Sequence, residues 1–368
     1  MKKKLKIWIS ISIALIVAVS ATLLGVNGAI NKSKKEFTYL KSLSNKVVLF
    51  IGDGMGQEHI KVAQAYLERD MFFVNFANRG EVTTHSLNKN EPTDSAASAT
   101  AMATGKKVKN GAIASQNYLK LESISEIAKS NGLGVGIVTT DVLYGATPAA
   151  FSSHAVNRDE KESIINSQVT RNLDLYMGAG LGTYSIIEPK IKKAGYSFCS
   201  TFDQLNINDN KILASFTSIN TKDGTNEMPT LSMMVEFAID FMELHFPNGY
   251  FLMVEGAHID KNAEKNNIFE MLDCMDEFDN AIKLAHTKLE NVKNHTLIVT
   301  ADHETGDLKY NNQTKEEIGS YMFGSNAHTT KNVGYYIEFN TTKQPKHKLP
   351  DIIDNTDIFK ILNNLLYK

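Results

Sequence analysis

Lys46-Val-Val-Leu-Phe-Ile-Gly52-Asp53-Gly54-Met55-Gly56 is the stretch on which the fold is read. Residues 46–51 form a short apolar run, a glycine-rich turn follows, and a helical pattern continues to about Arg69. A buried strand that feeds a glycine turn and then a helix opens an α/β sheet. The alternation recurs. A helix near 121–131 precedes a strand at 134–140, a helix near 230–246 precedes one at 249–254, and a long helix near 264–290 precedes one at 295–300. Residues 333–339 read as another strand, and a helix near 356–367 ends the chain. This order predicts an α/β fold with a mostly parallel central sheet sandwiched by helices on both faces. No internal repeat or shift of composition divides it, so one catalytic-sized domain is expected over 46–368.

The composition narrows the chemistry. Lys plus Arg is 39 and Asp plus Glu is 41 in 368 residues, which is not basic enough for a nucleic-acid partner. Two cysteines, Cys199 and Cys274, exclude a Cys-rich zinc site, an iron–sulfur cluster and a disulfide scaffold. Metal, if bound, must fall to carboxylates and to the ten histidines. Cys274 lies in an apolar helical pattern with Ile268, Met271, Leu272 and Met275, and both cysteines are expected as buried thiols rather than a pair.

The N-terminus reads as a targeting segment. Lys2, Lys3, Lys4 and Lys6 precede an apolar run from Ile7 to about Val26. Residues 1–29 are a signal peptide or an uncleaved signal anchor, and 30–45 a linker. No cysteine follows the run, which excludes a lipoprotein anchor. The expected location is extracellular or cell-surface, with membrane contact only through this segment. The leader takes four lysines and no acid, so the remainder holds 35 bases against 41 acids and is moderately acidic.

In parallel sheets the functional groups collect beyond the carboxyl ends of the strands. Those ends carry Asp53, the segment Thr139–Thr147, Glu255 and Asp302-His303. Asp53, between glycines, is either a carboxylate aimed at metal or a turn residue capping the next helix. Ser95, in Thr93-Asp94-Ser95-Ala-Ala-Ser, lies at a helix start, where amides favour an anion. It is either a nucleophile or a plain cap. Asp260 and Glu264 are four apart and share a face if the helix has begun, which suits a divalent cation or a solvated helix start. His328 alone reads as a surface loop residue.

Taken together, these stretches resemble the alkaline phosphatase family. The resemblance rests on Val-Val-Leu-Phe-Ile-Gly-Asp53-Gly-Met-Gly, Asp94-Ser95-Ala-Ala-Ser-Ala-Thr-Ala, Ala146-Thr147-Pro-Ala with Arg158, Val254-Glu255-Gly-Ala-His-Ile-Asp260 and Thr300-Ala-Asp302-His303-Glu-Thr-Gly, in family order. It implies hydrolysis of small-molecule phosphate monoesters through a phosphoserine intermediate, with two zinc ions and one magnesium. By the same resemblance Ser95 is the nucleophile and Arg158 clamps the phosphate. Asp53, Asp302 and His303 hold the zinc beside Ser95, Asp260 and His328 hold the second zinc, and Asp53, Thr147 and Glu255 hold magnesium. Relatives often form homodimers.

The chain departs from the family pattern at two places. Glu264 stands where a histidine ligand of the second zinc is usual; glutamate is a competent zinc ligand. The extra negative charge predicts a less acidic metal and a site open to other divalent ions. Gly145 stands where relatives carry Asp or His near the magnesium, and Lys261 lies where it could approach instead. His258 is a substitute ligand at most. Only residues 180–228 leave room for an insertion, so an open site and broad monoester specificity are expected.

Overall fold

The structure is a computed structural model that describes residues 37–366. The leader at 1–29 and the first part of the linker lie outside the described residues. The described part of the linker, from Phe37 to Asn45, is packed: Phe37, Leu40 and Leu43 are buried in the core.

Ten strands form one sheet: β1 (Lys46–Gly52), β2 (Asn78–Thr83), β3 (Gly134–Val142), β4 (Leu175–Ala179), β5 (Ser197–Cys199), β6 (Ile212–Phe216), β7 (Tyr250–Gly256), β8 (His295–Thr300), β9 (Val333–Asn340) and β10 (Ile352–Asp354). Their order is β10-β2-β9-β8-β1-β7-β3-β4-β6-β5. Every residue of β1 is buried, and it lies between β7 and β8 with both pairings parallel. Among the described strands of this sheet β9 alone runs against its neighbours β8 and β2. The β8–β9 connection therefore starts and ends at one edge of the sheet and needs no crossover.

Register and aromatic contacts show how both faces are covered. Phe50 of β1 meets Phe278 of a helix over Ile268–Leu289 edge to face, with ring centroids 6.1 Å apart. Phe251 of β7 pairs level with Val47, so it points to the opposite face, where it meets Phe151 of a helix over Ala146–Ser152.

Three expectations change. The segment 180–228, the one span with room for an insertion, supplies β5 and β6, which extend the sheet. β4 and β6 are buried five-residue runs, Leu-Tyr-Met-Gly-Ala and Ile-Leu-Ala-Ser-Phe, too short to separate from helix by periodicity. The helix expected over 264–290 runs over Ile268–Leu289 and starts later, because a separate short helix, His258–Ala263, precedes it and Asn266 between them takes a left-handed φ of 51°. Both cysteines are free and buried, as expected.

The turn after β1 depends on Gly54. Its φ is +72°, and a Cβ there would sit 2.8 Å from Asp260 Oδ1 and 2.9 Å from the Asp260 Cα. Gly54→Ala should cost about 1–3 kcal/mol of stability in urea denaturation, because backbone strain and a backbone clash add. Wild-type stability in that variant would show that the turn can relax.

Candidate metal centre and nucleophile

The carboxyl ends of the central strands are level. Thr139 of β3 pairs with Glu255 of β7, Glu255 with Ile51 of β1, and Ile51 with Thr300 of β8. Asp53 and Asp302 follow two residues beyond this row, so strand geometry alone brings the acids to one edge.

Ser95 is the first residue of helix α1 (Ser95–Thr104), and Asp94 is its N-cap. The Asp94 carboxylate accepts from Ala97 N–H at 2.9 Å and Gly111 N–H at 2.9 Å, and meets Arg158 Nη1 at 3.3 Å. Asp94 does the capping, which leaves the Ser95 hydroxyl for other work. The Ser95 Oγ lies 3.3 Å from His303 Nε2 and is buried. All of α1 is buried, and its small residues pack against Ala146 and Ala149 of α2 (Ala146–Ser152). Thr147 and Ser95 thus belong to two tightly packed helix starts. One turn on, Ser98 Oγ donates to the Asp302 carbonyl at 2.7 Å, which registers the serine helix against the Asp302 loop.

Two groups of ligand-type side chains converge. In the first, ligand atoms of Asp53, Asp302 and His303 all lie within 4.8 Å of one another. His303 Nε2 is 3.4 Å from Asp53 Oδ1 and 3.3 Å from Asp302 Oδ2. Those two oxygens are buried and have no hydrogen-bond partner. Asp302 Oδ1 is fixed by the N–H groups of Gly54 at 3.1 Å and His303 at 2.9 Å. In the second group, Asp260, His303 and His328 satisfy the same 4.8 Å limit. His328 Nε2 lies 3.7 Å from Asp260 Oδ1 and 3.9 Å from Glu264 Oε1. Glu264 N–H donates to the Asp260 carbonyl at 2.8 Å, so the two acids do share a helical face, but Glu264 is half exposed and stands outside the tight group.

His328 reaches the site through a two-residue ribbon. Glu304-Thr305 pairs antiparallel with His328-Thr329, and His328 Nδ1 donates to the Thr93 carbonyl at 3.0 Å. Its Nε2 is thereby free to accept a cation. Thr305 does the corresponding work for His303, whose Nδ1 donates to its hydroxyl at 3.1 Å while that hydroxyl donates to Asp260 Oδ1. One hydroxyl therefore orients a ligand of each group. Thr305 and Ser98 lie inside two of the stretches that carry the resemblance, but their residue types alone do not mark either as an orienting group.

A third set is all oxygen. Glu255 is buried and accepts a short hydrogen bond from the Thr139 hydroxyl, while Thr147 Oγ1 is buried without a partner. With Asp53 these donors suit a hard cation such as magnesium. His258 joins neither of the two ligand groups, and burial pushes its pKa down to about 4.

The electrostatics match this inventory. Burial, then the charges of Asp302, Asp260 and Glu255, hold the Asp53 carboxyl well above its ordinary range. Burial also raises Asp302, against the N–H of Gly54. Burial and the Asp141 charge push Glu255 to about 8, opposed by Thr139 and Lys261. His303 is driven down to about 3 by burial first and His328 second, so it is a neutral ligand. Buried carboxylates with orphaned oxygens and the neutral imidazole of His303 fit divalent cations.

These shifts give a pH prediction. Without cations the folded protein keeps protons on these carboxyls above the pH at which the unfolded chain releases them. Through Glu255 its stability falls as pH rises toward about 8, whereas His303 and His258, held neutral by burial, add stability as pH rises to about 6.5, so the net fall is read between about pH 6.5 and 8. The melting temperature of metal-stripped protein should fall across that window, and Glu255→Gln should flatten part of the slope. A flat wild-type profile would contradict the shifts.

A family model described as Alkaline phosphatase matches residues 44–177 and 178–361. Alkaline phosphatase 4 of Bacillus subtilis is 31% identical over 293 residues, covering 72% of this chain and 62% of the relative. Alkaline phosphatase 3 of the same organism is 32% identical over 288 residues, covering 71% of this chain and 61% of the relative. The chain thus spans a little over three fifths of the length of these two relatives. The solved alkaline phosphatase of the Antarctic bacterium TAB5 superposes with a TM-score of 0.74 at 27% identity, covering 88% of this chain and 98% of that one. A variant of it with histidine replaced by glutamate, with Mg bound in its M3 site, superposes at 0.75 and 26%, covering 89% and 99%.

Proposed function

The chain belongs to the alkaline phosphatase family, and from that premise we propose that it hydrolyses small phosphate monoesters to an alcohol and inorganic phosphate, with Ser95 as nucleophile. The observation that carries this reading is the Ser95 hydroxyl at the first position of α1, 3.3 Å from His303 and beside the Asp53–Asp302–His303 group.

The chain's own residues define the steps. The amides at the start of α1 and the planar fork of Arg158 hold the phosphate oxygens. Ser95 Oγ attacks phosphorus, an Oγ–P bond forms, and the bond to the ester oxygen breaks as the alcohol leaves with a proton. Water then attacks the phosphoserine, the Oγ–P bond breaks, and Ser95 regains its hydroxyl as phosphate departs. Asp94 positions Arg158, and Thr305 keeps His303 in the tautomer that presents Nε2. Two zinc ions held by Asp53, Asp302, His303 and by Asp260, Glu264, His328, with one magnesium held by Asp53, Thr147 and Glu255, would stabilise the transferring charge and lower the pKa of the reacting hydroxyls.

Glu264 and Arg158 are both partly exposed, so the mouth is open, which supports broad specificity for the alcohol half of the ester. The basic and apolar leader supports action outside the cytoplasm.

The decisive assay offers an aryl phosphate monoester, a diester and a sulfate to the zinc- and magnesium-loaded chain and to Ser95→Ala. Monoester turnover should dominate and fall by about 10^4-fold or more in the variant. Retained turnover would remove Ser95 from the chemistry, and preference for diester or sulfate would move the chain to another activity.

Glu264 is the third ligand of the second zinc in this reading. Its second negative charge leaves the metal a weaker acid than a histidine would. Glu264→His should shift the acidic limb of the pH–rate profile to lower pH at unchanged zinc content. An unmoved limb would contradict ligation by Glu264.

A further inference from the structure

Asn355 opens helix α3 (Asn355–Leu365), whose N-cap is Asp354. Helix α3 meets α1, the helix that starts at Ser95, at two points. At the far end, the α1 C-cap Gly105 has a φ of +69°, and a Cβ there would lie 2.6 Å from Phe359 Cδ1. Nearer Ser95, Asn355 is fully buried and uses both ends of its amide. Lys107 Nζ donates to Asn355 Oδ1 at 2.7 Å, and Lys107 is itself tied to Asp354 at 2.9 Å. An ammonium only donates, so it fixes which end of the amide is oxygen. Nδ2 faces the other way and donates to Ser98 Oγ at 2.9 Å and to the Thr84 carbonyl at 3.4 Å.

The amide thereby decides what Ser98 does. A serine hydroxyl has one proton, and it cannot point at another donor. With Nδ2 on one side of Oγ, the proton goes to the Asp302 carbonyl, 2.7 Å away. That carbonyl belongs to the peptide joining Asp302 to His303, whose N–H donates to Asp302 Oδ1 at 2.9 Å. Holding this one peptide holds two ligand-type residues at once.

We propose that Asn355, remote in sequence and outside both ligand groups, is a positioning residue for metal binding: its amide directs the Ser98 hydroxyl at Asp302 and so sets the Asp302–His303 peptide for zinc. The inference rests on the reading of Asp302 and His303 as zinc ligands. Asn355→Asp tests the polarity with almost no change of shape. Lys107 still faces one carboxylate oxygen, but the other accepts where the amide donated. The Ser98 proton turns to it, and the Asp302 carbonyl loses its donor. Added negative charge alone would draw a divalent ion more strongly, so charge and polarity predict opposite signs.

Zinc titration of the metal-stripped full chain against a competing chelator reads the sign. Affinity should fall about 10-fold in Asn355→Asp, the lower end of what losing a hydrogen-bond partner of a metal ligand costs. Ser98→Ala should lose a similar amount. Asn355→Asp added to Ser98→Ala should lose nothing further, because both act through one hydroxyl. Unchanged or tighter zinc in Asn355→Asp, or a second 10-fold loss in the double variant, overturns the proposal. If Asn355→Asp does not fold by circular dichroism, wild-type zinc affinity in Ser98→Ala overturns it instead. A wild-type chain that binds no zinc would remove the ligand reading itself and the proposal with it.

Discussion

Four acids, Asp53, Glu255, Asp260 and Asp302, are buried together at one edge of the sheet, and the rest of the site is arranged around that fact. Removing carboxylates from water costs several kcal/mol each unless opposite charge compensates. Lys261, whose ammonium feels the charges of Glu255 and Asp53, is already paired with Asp141. Orphaned oxygens on Asp53 and Asp302, with neutral His303 between them, form a group of donors suited to divalent ions that would restore the balance. The raised carboxyl pKa values are the same statement in another form: without cations, protons take their place.

The fold supplies the means of collecting these acids. Parallel pairing of β3, β7, β1 and β8 makes their ends level, so a ligand beyond each strand falls into one plane. The reversed β9 keeps the long β8–β9 connection on that same edge, and the ribbon of Glu304-Thr305 with His328-Thr329 folds back over it. Thr305, Ser98 and Thr139 then orient ligands that the strands only deliver. Hydroxyls suit this task because each can donate to one ligand while accepting from another.

Much of this was legible from residues. The strand–turn–helix alternation gave away the sheet, and motif residues at strand ends marked Asp53, Glu255 and Asp302-His303. What escaped has physical reasons. His328, marked as a ligand only by the family resemblance, looked on its own like a surface residue because its place depends on a two-residue ribbon, which leaves no periodic signal. β4 and β6 were missed because a five-residue apolar run fits strand or helix equally. The break at Asn266 was hidden inside a continuous helical pattern, although it decides that Glu264 ends one helix instead of starting the next. Asp94 took the capping role that Ser95 could have had, and only the backbone distinguishes them. Asp141 was unremarkable until the slip in β3 placed it against Gly145.

Anomalous diffraction at the zinc edge from crystals of the zinc-loaded chain tests the central claim most directly. The account predicts one peak among Asp53, Asp302 and His303 and a second beside Asp260 and His328, with Glu264 turned inward to the second. Zinc bound elsewhere on a chain of full zinc content, with these acids unliganded, would contradict it.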